Sequence, residues 1–315
     1  MFTVPDNLPT GCAVPLAVAI TANSTQISNN VLMPVAKGSR NCTFVDSSLG
    51  TPAALDQFAA SKGFKLGYTD LNHISNAPDP GFRDTAHVGF AIVTWNAGNP
   101  LFAATTLDTL PQGTCLARPS LGGGGSSFVP VSTLDAGSTF TIKGPGGTMT
   151  VTANPFDRIT LSSTAGNSLV PGDWTISGAG GKDIGPFTAN LNVPISPTLT
   201  SPASANGLTV SRGIGMTVTW NGNGSTSHVE LVLGSPADSA TTSSVTCNVA
   251  ASAGTFTIPS YMLFTLANTN SAIFSLSPGN SGPAASAQFS APGVDIGVTD
   301  TFIGSDALNG FRITN

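Results

Sequence analysis

The residues best suited to chemistry lie in one short stretch, from Asp70 to His87. Neutral imidazoles and carboxylates are the usual ligands of zinc and similar divalent ions, and two or three of them could leave a coordination position open for water. The predicted ligands are His73, His87, Asp70 and Asp79, and the predicted catalytic base is Asp84. Their spacing matches no established motif, and Asp79 and Asp84 equally suit turn and cap positions.

A second hypothesis is a serine-protease triad. The phrases Thr85-Ala-His-Val, around His87, and Gly279-Asn-Ser-Gly-Pro, around Ser281, resemble the histidine and nucleophile phrases of trypsin-like proteases, and Asp108 lies between them. A triad requires a serine hydroxyl bonded to a histidine that an aspartate orients. Pro283 replaces the second glycine after the serine, so the segment equally suits a Pro/Gly turn.

Candidates for carbohydrate chemistry are few. A glycosidase uses a pair of carboxyl groups, whereas Glu230 is the only glutamate and is placed in a predicted strand, where a lone surface carboxylate is the simplest interpretation. Trp95, Trp174 and Trp220 each lie in an alternating apolar strand. We therefore expect these indoles in the core and not on a sugar-binding platform.

The four cysteines are Cys12, Cys42, Cys115 and Cys247, with no C-x-x-C spacing. Two disulfides are the simplest interpretation, and buried free thiols are the alternative. Of the three pairings, Cys12 with Cys42 and Cys115 with Cys247 is favoured, because the first pair brackets one hairpin-like segment. Such bridges favour an extracellular or envelope location, with any export signal outside the printed sequence.

Composition excludes several classes of function. Only 9% of the residues are charged, the formal net charge is −5 and no basic cluster is present, which argues against nucleic acid as a partner. Although 40% of the residues are hydrophobic, no apolar run approaches the roughly 18 to 20 residues of a membrane helix. We therefore expect neither nucleic-acid binding nor membrane insertion.

The elements that must position these residues are predicted to be short strands. Phe140 and Ile142 alternate with polar residues, as do Trp174 and Ile176, which is typical of half-buried strands. The near absence of Glu and Lys argues against extensive exposed helix. One helix is predicted, from Leu49 to Lys62. The fold class is therefore all-β, with two or three immunoglobulin-like β-sandwich units and one short helix.

Three units are predicted along the chain. Residues 1–120 hold partial immunoglobulin-like strands, the helix and a loop-rich β unit, with strands at Phe64 to Leu71 and His87 to Trp95. Residues 121–197 form a central sandwich and residues 198–315 a third unit with strands at regular spacing. Within the third unit, Asn221-Gly-Asn-Gly is predicted to be a hairpin turn.

Several phrases of the chain are distinctive, including Val4-Pro-Asp-Asn-Leu-Pro-Thr-Gly-Cys, Pro171-Gly-Asp-Trp-Thr-Ile, Gly181-Lys-Asp-Ile-Gly-Pro-Phe and Gly254-Thr-Phe-Thr-Ile-Pro-Ser. Together they resemble the carboxy-terminal region of uncharacterised secreted proteins from Solibacter and related acidobacteria. The resemblance spans most of the chain and implies export, β-sandwich architecture and paired cysteines. It supplies no catalytic residue.

The predicted function is a secreted β-sandwich module for adhesion, envelope structure or ligand binding, without catalysis and without a cofactor. Its partner would be a surface, a glycan or a small molecule. The alternative is a metal-dependent hydrolase of esters or phosphoesters, in which a divalent ion such as zinc sits in the 70–87 loop and lowers the pKa of a bound water. Convergence of the His73 and His87 imidazoles on one point would favour the hydrolase.

Overall fold

In the computed structural model of the chain, strands account for most of the described residues. The structure describes residues 11–16, 19–20, 26–27, 31–35, 63–74, 84–95, 110, 112–121, 128–152, 158–161, 169–224, 228–236, 241–279, 287–304 and 307–315. The predicted helix at 49–62 and the cysteine at position 42 lie outside these ranges.

The strands are numbered here in chain order. The first eight are β1 (Gly11–Leu16), β2 (Ala19–Ile20), β3 (Gln26–Ile27), β4 (Val31–Val35), β5 (Phe64–Ile74), β6 (Asp84–Trp95), β7 (Thr114–Leu121) and β8 (Phe128–Thr133). The next eight are β9 (Thr139–Gly144), β10 (Gly147–Thr152), β11 (Arg158–Thr160), β12 (Gly172–Gly178), β13 (Phe187–Val193), β14 (Thr198–Ser201), β15 (Thr209–Ser211) and β16 (Met216–Asn221).

The remaining strands are β17 (His228–Pro236), β18 (Thr241–Ala250), β19 (Thr255–Ile258), β20 (Thr269–Pro278), β21 (Ala287–Phe289), β22 (Ile296–Gly304) and β23 (Ala307–Thr314). A short 3-10 turn spans Ala251–Ala253, and the α-helix within the described residues, α1, spans Ser260–Leu263. The prediction of an all-β protein is confirmed.

Four sheets form two sandwiches. In the first sandwich, sheet 1 (order β10-β9-β12-β13) faces sheet 2 (order β11-β6-β5-β22-β21, with β8 also on β6). In the second sandwich, sheet 3 (β14-β16-β19) faces sheet 4 (β15-β23-β20-β17-β18-β7). Two separate pairs, β1 with β4 and β2 with β3, account for the first four strands.

The core of the first sandwich follows from the alternation read in the sequence. Phe140, Ile142, Trp174 and Ile176 of sheet 1 are almost completely buried, while the threonines between them face outward. They meet apolar side chains of sheet 2, including Phe90, in one continuous cluster. Burial of these large side chains stabilises the sandwich, because each contributes roughly 1.5 to 3 kcal/mol on removal from water.

Sheet 2 is assembled from distant parts of the chain. It takes β5 and β6 from the first predicted unit, β8 and β11 from the second, and β21 and β22 from the third. Strand β22 runs parallel to β5, with Asp300 opposite Asp70. The boundaries of the three units stay a prediction. Sheet 2, which holds most of the candidate site residues, forms by pairing between segments far apart in sequence.

The second face of sheet 2 is also partly covered. Phe64, Val93, Ile296 and Val298 form a small buried cluster on the face opposite the sandwich core. The residues from Ile296 to Thr301 are consequently buried on both sides of the strand. The sheet therefore offers two sheltered faces on which polar groups can lie.

The prediction of a β-hairpin at Asn221-Gly-Asn-Gly is wrong. Strand β16 ends at Asn221 and belongs to sheet 3, whereas β17 begins at His228 and belongs to sheet 4. The connection crosses between the two layers of the sandwich. A Gly-rich turn signal shows that the chain reverses but does not select the sheet that the next strand joins.

Candidate functional site

Strands β5 and β6 extend further than the sequence predicts, and this extension organises the candidate site. Strand β5 runs to Ile74 and β6 starts at Asp84, so both ends of the predicted loop belong to the sheet. The register places His73 opposite Asp84 and Asp70 opposite His87. Because successive strand residues point to opposite faces, positions three residues apart lie on different faces of sheet 2.

The inner pair lies on the face toward the sandwich core. His73 Nδ1 is 2.6 Å from Asp84 Oδ1. Both side chains are sheltered, with exposed fractions of 14% for His73 and 5% for Asp84. The second carboxylate oxygen of Asp84 accepts a hydrogen bond from the backbone N–H of Leu169 at 3.4 Å. A carboxylate acceptor places a proton on Nδ1 and fixes the orientation of the ring.

The outer pair lies on the opposite face. His87 Nδ1 is 2.8 and 3.0 Å from the two carboxylate oxygens of Asp70. Asn72 donates its side-chain N–H to Asp70 as well. On the neighbouring strand β22, Asp300 accepts a hydrogen bond from the Tyr68 hydroxyl at 3.1 Å. We call these five residues the outer polar cluster.

Burial and charge change the titration of two members of the outer polar cluster. Burial, followed by the negative charge of Asp70, raises the pKa of Asp300 from its ordinary value of 3.8 to about 6, although the Tyr68 hydrogen bond and His87 act in the opposite direction. Burial, and then the charges of Asp300 and Asp70, raises the pKa of the Tyr68 hydroxyl. Tyr68 therefore stays neutral, and Asp300 changes charge close to neutral pH.

The predicted zinc ligands do not share one face of the sheet. His73 lies with Asp84 on the inner face, and His87 lies with Asp70 on the outer face. Asp79 lies outside the described residues. Within the part of the chain that the structure describes, no three His, Cys, Asp or Glu side chains are grouped to hold a metal ion. Asp84, the predicted base, instead bonds to the ring of His73.

A cavity of about 290 Å³ opens beside the inner pair. His73 contributes to its wall, together with Pro171, Pro194, Ile195 and Ser196. The other lining side chains are aliphatic and come from the residues before β12, the end of β13 and β22. His73 is thus an ionisable side chain of sheet 2 that borders this cavity.

The remaining predicted site residues fall into two groups. Trp174 and Trp220 are buried in the two cores, as predicted, and their indole N–H groups donate to the carbonyl oxygens of Val170 and Ala251, each at 2.9 Å. Glu230 lies in β17, which confirms its placement in a strand, and it is half-buried. The side chain of Trp95, and the whole of Asp108 and Ser281, lie outside what the structure describes.

The favoured pairing of Cys115 with Cys247 is confirmed. Cys115 on β7 is directly opposite Cys247 on β18, their Cα atoms are 4.0 Å apart, and the two residues form a disulfide. The bond joins residues 132 positions apart in sequence. The second predicted disulfide, between Cys12 and Cys42, stays a prediction, because the side chain of Cys12 and the whole of Cys42 lie outside the described residues.

The sequence interpretation missed Tyr68, Asp300 and the apolar cavity wall. One signal could have pointed to Asp300: the dipeptide Thr-Asp occurs at Thr69-Asp70 and again at Thr299-Asp300. The two copies lie side by side in the parallel pair β5 and β22, and their threonine hydroxyls hydrogen-bond at 2.8 Å. The cavity wall left no comparable signal, because aliphatic and proline residues are frequent throughout this chain.

Comparisons with known proteins add no assignment. No model of a known protein family matches the chain. A search of the curated proteins likewise gives no match.

In the described residues, no helix has both the length and the apolar character needed to cross a membrane.

Proposed function

We propose that this chain is a secreted β-sandwich module that binds a ligand or a surface and carries out no catalysis. The observation that carries the proposal is the division of the two His–Asp pairs between opposite faces of sheet 2. Each imidazole is held by its own carboxylate, and the thickness of the sheet separates the two pairs. This arrangement supports a role of these groups in ordering β5 and β6.

A metal-dependent hydrolase would need a different geometry. Three protein ligands must converge on one ion and leave a position for water. On the sheet, His73 and His87 could share an ion only if the register of β5 against β6 shifted by one residue for one of them. Such a shift would turn all the other side chains of the shifted strand to the wrong face, including the buried Leu71 if β5 moved or the buried Phe90 if β6 moved.

The proposed extracellular location draws support from the disulfide of Cys115 with Cys247, because structural disulfides persist mainly in oxidising compartments. We include in the proposal an immunoglobulin-like character of the sandwiches and a relationship to the secreted acidobacterial proteins that the chain resembles. Both are consistent with two all-β sandwiches. The partner would be a neutral surface, a glycan or a small molecule, in keeping with the low charge of the chain.

The test is elemental analysis of purified, chelator-free protein, together with a screen against activated esters and phosphoesters before and after chelation. We expect no stoichiometric metal and no chelator-sensitive turnover in the natural chain. A double variant, His73→Ala with His87→Ala, should behave identically. The third histidine, replaced in His228→Ala, provides the matched control in the second sandwich.

The opposite result would replace the proposal with the hydrolase alternative. That result is about one metal equivalent per chain with turnover that disappears on chelation. The assignment to the 70–87 segment would then require that the double variant lose both metal and turnover while His228→Ala keeps them.

A further inference from the structure

The cavity beside His73 combines an apolar wall with one polar end. Its wall contains Pro171, Pro194 and Ile195, and the polar side chains among its described lining residues are His73 and Ser196. Binding sites for small molecules have this composition, since apolar surface supplies affinity and a few placed polar groups supply orientation. The cavity therefore has the chemistry of a ligand site.

Hydrogen bonds to residues around the cavity hold its two polar residues in position. The Asp84 carboxylate bonds to His73 Nδ1 and to the backbone N–H of Leu169, which itself lines the cavity. On the other side, the carbonyl oxygen of Ser196 accepts a hydrogen bond from the Asn223 side chain at 2.7 Å. These bonds order the two polar residues before a ligand arrives, which reduces the entropy lost on binding.

Charge in and near the cavity favours a neutral ligand. Among the described residues, its lining includes no lysine or arginine, and the carboxylate of Asp84 bonds to the His73 ring that lines the cavity. The negative charge of an anionic ligand would be repelled by this carboxylate, at a cost that rises in a partly buried site. A ligand with one neutral hydroxyl avoids that cost and can still hydrogen-bond at the polar end.

The volume sets the size of the ligand. An apolar cavity of about 150 Å³ is large enough for benzene. The cavity of about 290 Å³ therefore accommodates one six-membered ring with a substituent. It is at the lower end of the range for small-molecule sites, roughly 300 to 1,000 Å³.

We propose that this cavity binds a small neutral compound with an apolar body and a single hydroxyl group, a phenol or an alcohol. The hydroxyl hydrogen-bonds at the end formed by Ser196 and the His73–Asp84 pair, and the body of the compound covers the proline and aliphatic wall. The inference rests on the proposed function as a ligand-binding module and names the class of ligand for it.

The experiment is calorimetric titration of the full chain with four compounds. They are p-cresol, cyclohexanol, toluene, which matches p-cresol without its hydroxyl, and p-toluate, which carries a carboxylate instead. We expect p-cresol or cyclohexanol to bind about tenfold more tightly than toluene, the effect of one hydrogen bond. Toluate should bind more weakly than either hydroxyl compound. The ratio between p-cresol and cyclohexanol tells a phenol from an alcohol.

Three variants locate the binding. Ser196→Ala and His73→Phe should each weaken binding of the hydroxyl compound about tenfold and leave toluene unchanged. Ser252→Ala, at an exposed position of the second sandwich, should change neither. Circular dichroism melts of each variant establish that it is folded. His73→Phe also removes the bond to Asp84 and so could fail to fold. In that case the milder Ser196→Ala variant still decides the test.

Several results would overturn the inference. They are no binding of either hydroxyl compound, equal affinity for p-cresol and toluene, tighter binding of toluate, or binding that Ser196→Ala does not weaken. None of these results touches the proposal of a non-catalytic module, which fails instead on chelator-sensitive turnover. The two failures are therefore distinguishable.

Discussion

Replacing Asp300 by asparagine should make the protein more stable at neutral pH. Asp300 is a buried carboxyl beside Asp70, and these surroundings raise its pKa from 3.8 to about 6. Asparagine has almost the same shape, keeps an oxygen that can accept from the Tyr68 hydroxyl, and adds an N–H group that can donate toward Asp70. The substitution therefore removes a buried charge without leaving a cavity.

The sign and size of the effect follow from proton linkage. Below pH 3.8 the carboxyl of Asp300 is neutral in both the native and the unfolded chain. Between pH 3.8 and about 6 the unfolded chain loses the proton while the native chain keeps it, so stability falls as pH rises. Above about pH 6 the carboxyl is ionised in both states, and the native chain bears the full cost of the buried charge. A pKa difference of about 2, at about 1.4 kcal/mol for each pKa unit, gives about 3 kcal/mol.

The assay is urea unfolding of the natural chain and of Asp300→Asn from about pH 3.5 to about pH 7.5. The variant's gain in free energy of unfolding should increase by about 3 kcal/mol across this range, with most of the increase between pH 4 and about pH 6. Asp173→Asn, at an exposed carboxylate of sheet 1, provides the control and should change stability by less than about 0.5 kcal/mol at every pH. A gain that does not grow with pH would refute the reasoning.

Two further predictions concern packing and the disulfide. Gly144→Ala should destabilise the first sandwich by about 1 to 3 kcal/mol, because an added Cβ would overlap the buried ring of Trp174. Gly213→Ala, where an added Cβ would make only an ordinary contact of 3.8 Å with Ser211 Oγ, should be neutral in the same thermal melts. Replacing both Cys115 and Cys247 by alanine should lower the free energy of unfolding by about 2 to 5 kcal/mol, since the bond closes a loop of 132 residues. Urea unfolding measures this loss, and equal stability of the variant and the natural chain would contradict it.

Local patterns in the sequence determined the elements and much of the core. The period-two alternation around Phe140 and Trp174 predicted strands with these side chains inward, and both are buried. The alternation around Trp220 likewise predicted the strand that became β16. These features follow from the sequence because side-chain direction along a strand depends only on neighbouring residues.

The ends of β5 and β6 show where local patterns fail. Asn72, His73 and Asp84 are polar residues beside a stretch rich in proline, so the sequence predicts a loop for them. In the structure they belong to paired strands, because the hydrogen bonds of the sheet and the His73–Asp84 contact compensate for their weak strand preference. Tertiary context thus overrode local propensity at the residues on which the metal hypothesis depends.

Only the tertiary structure decided which polar groups meet. The register of β5 against β6 places His73 and His87 on opposite faces, and the parallel pairing of β22 with β5 brings Asp300 beside Asp70. Register and pairing partner depend on how the whole chain buries its apolar surface, so the local spacing of residues does not specify them. The sequence therefore determined a β-sandwich protein and its candidate polar residues, and the pairing of distant strands determined the groups those residues form.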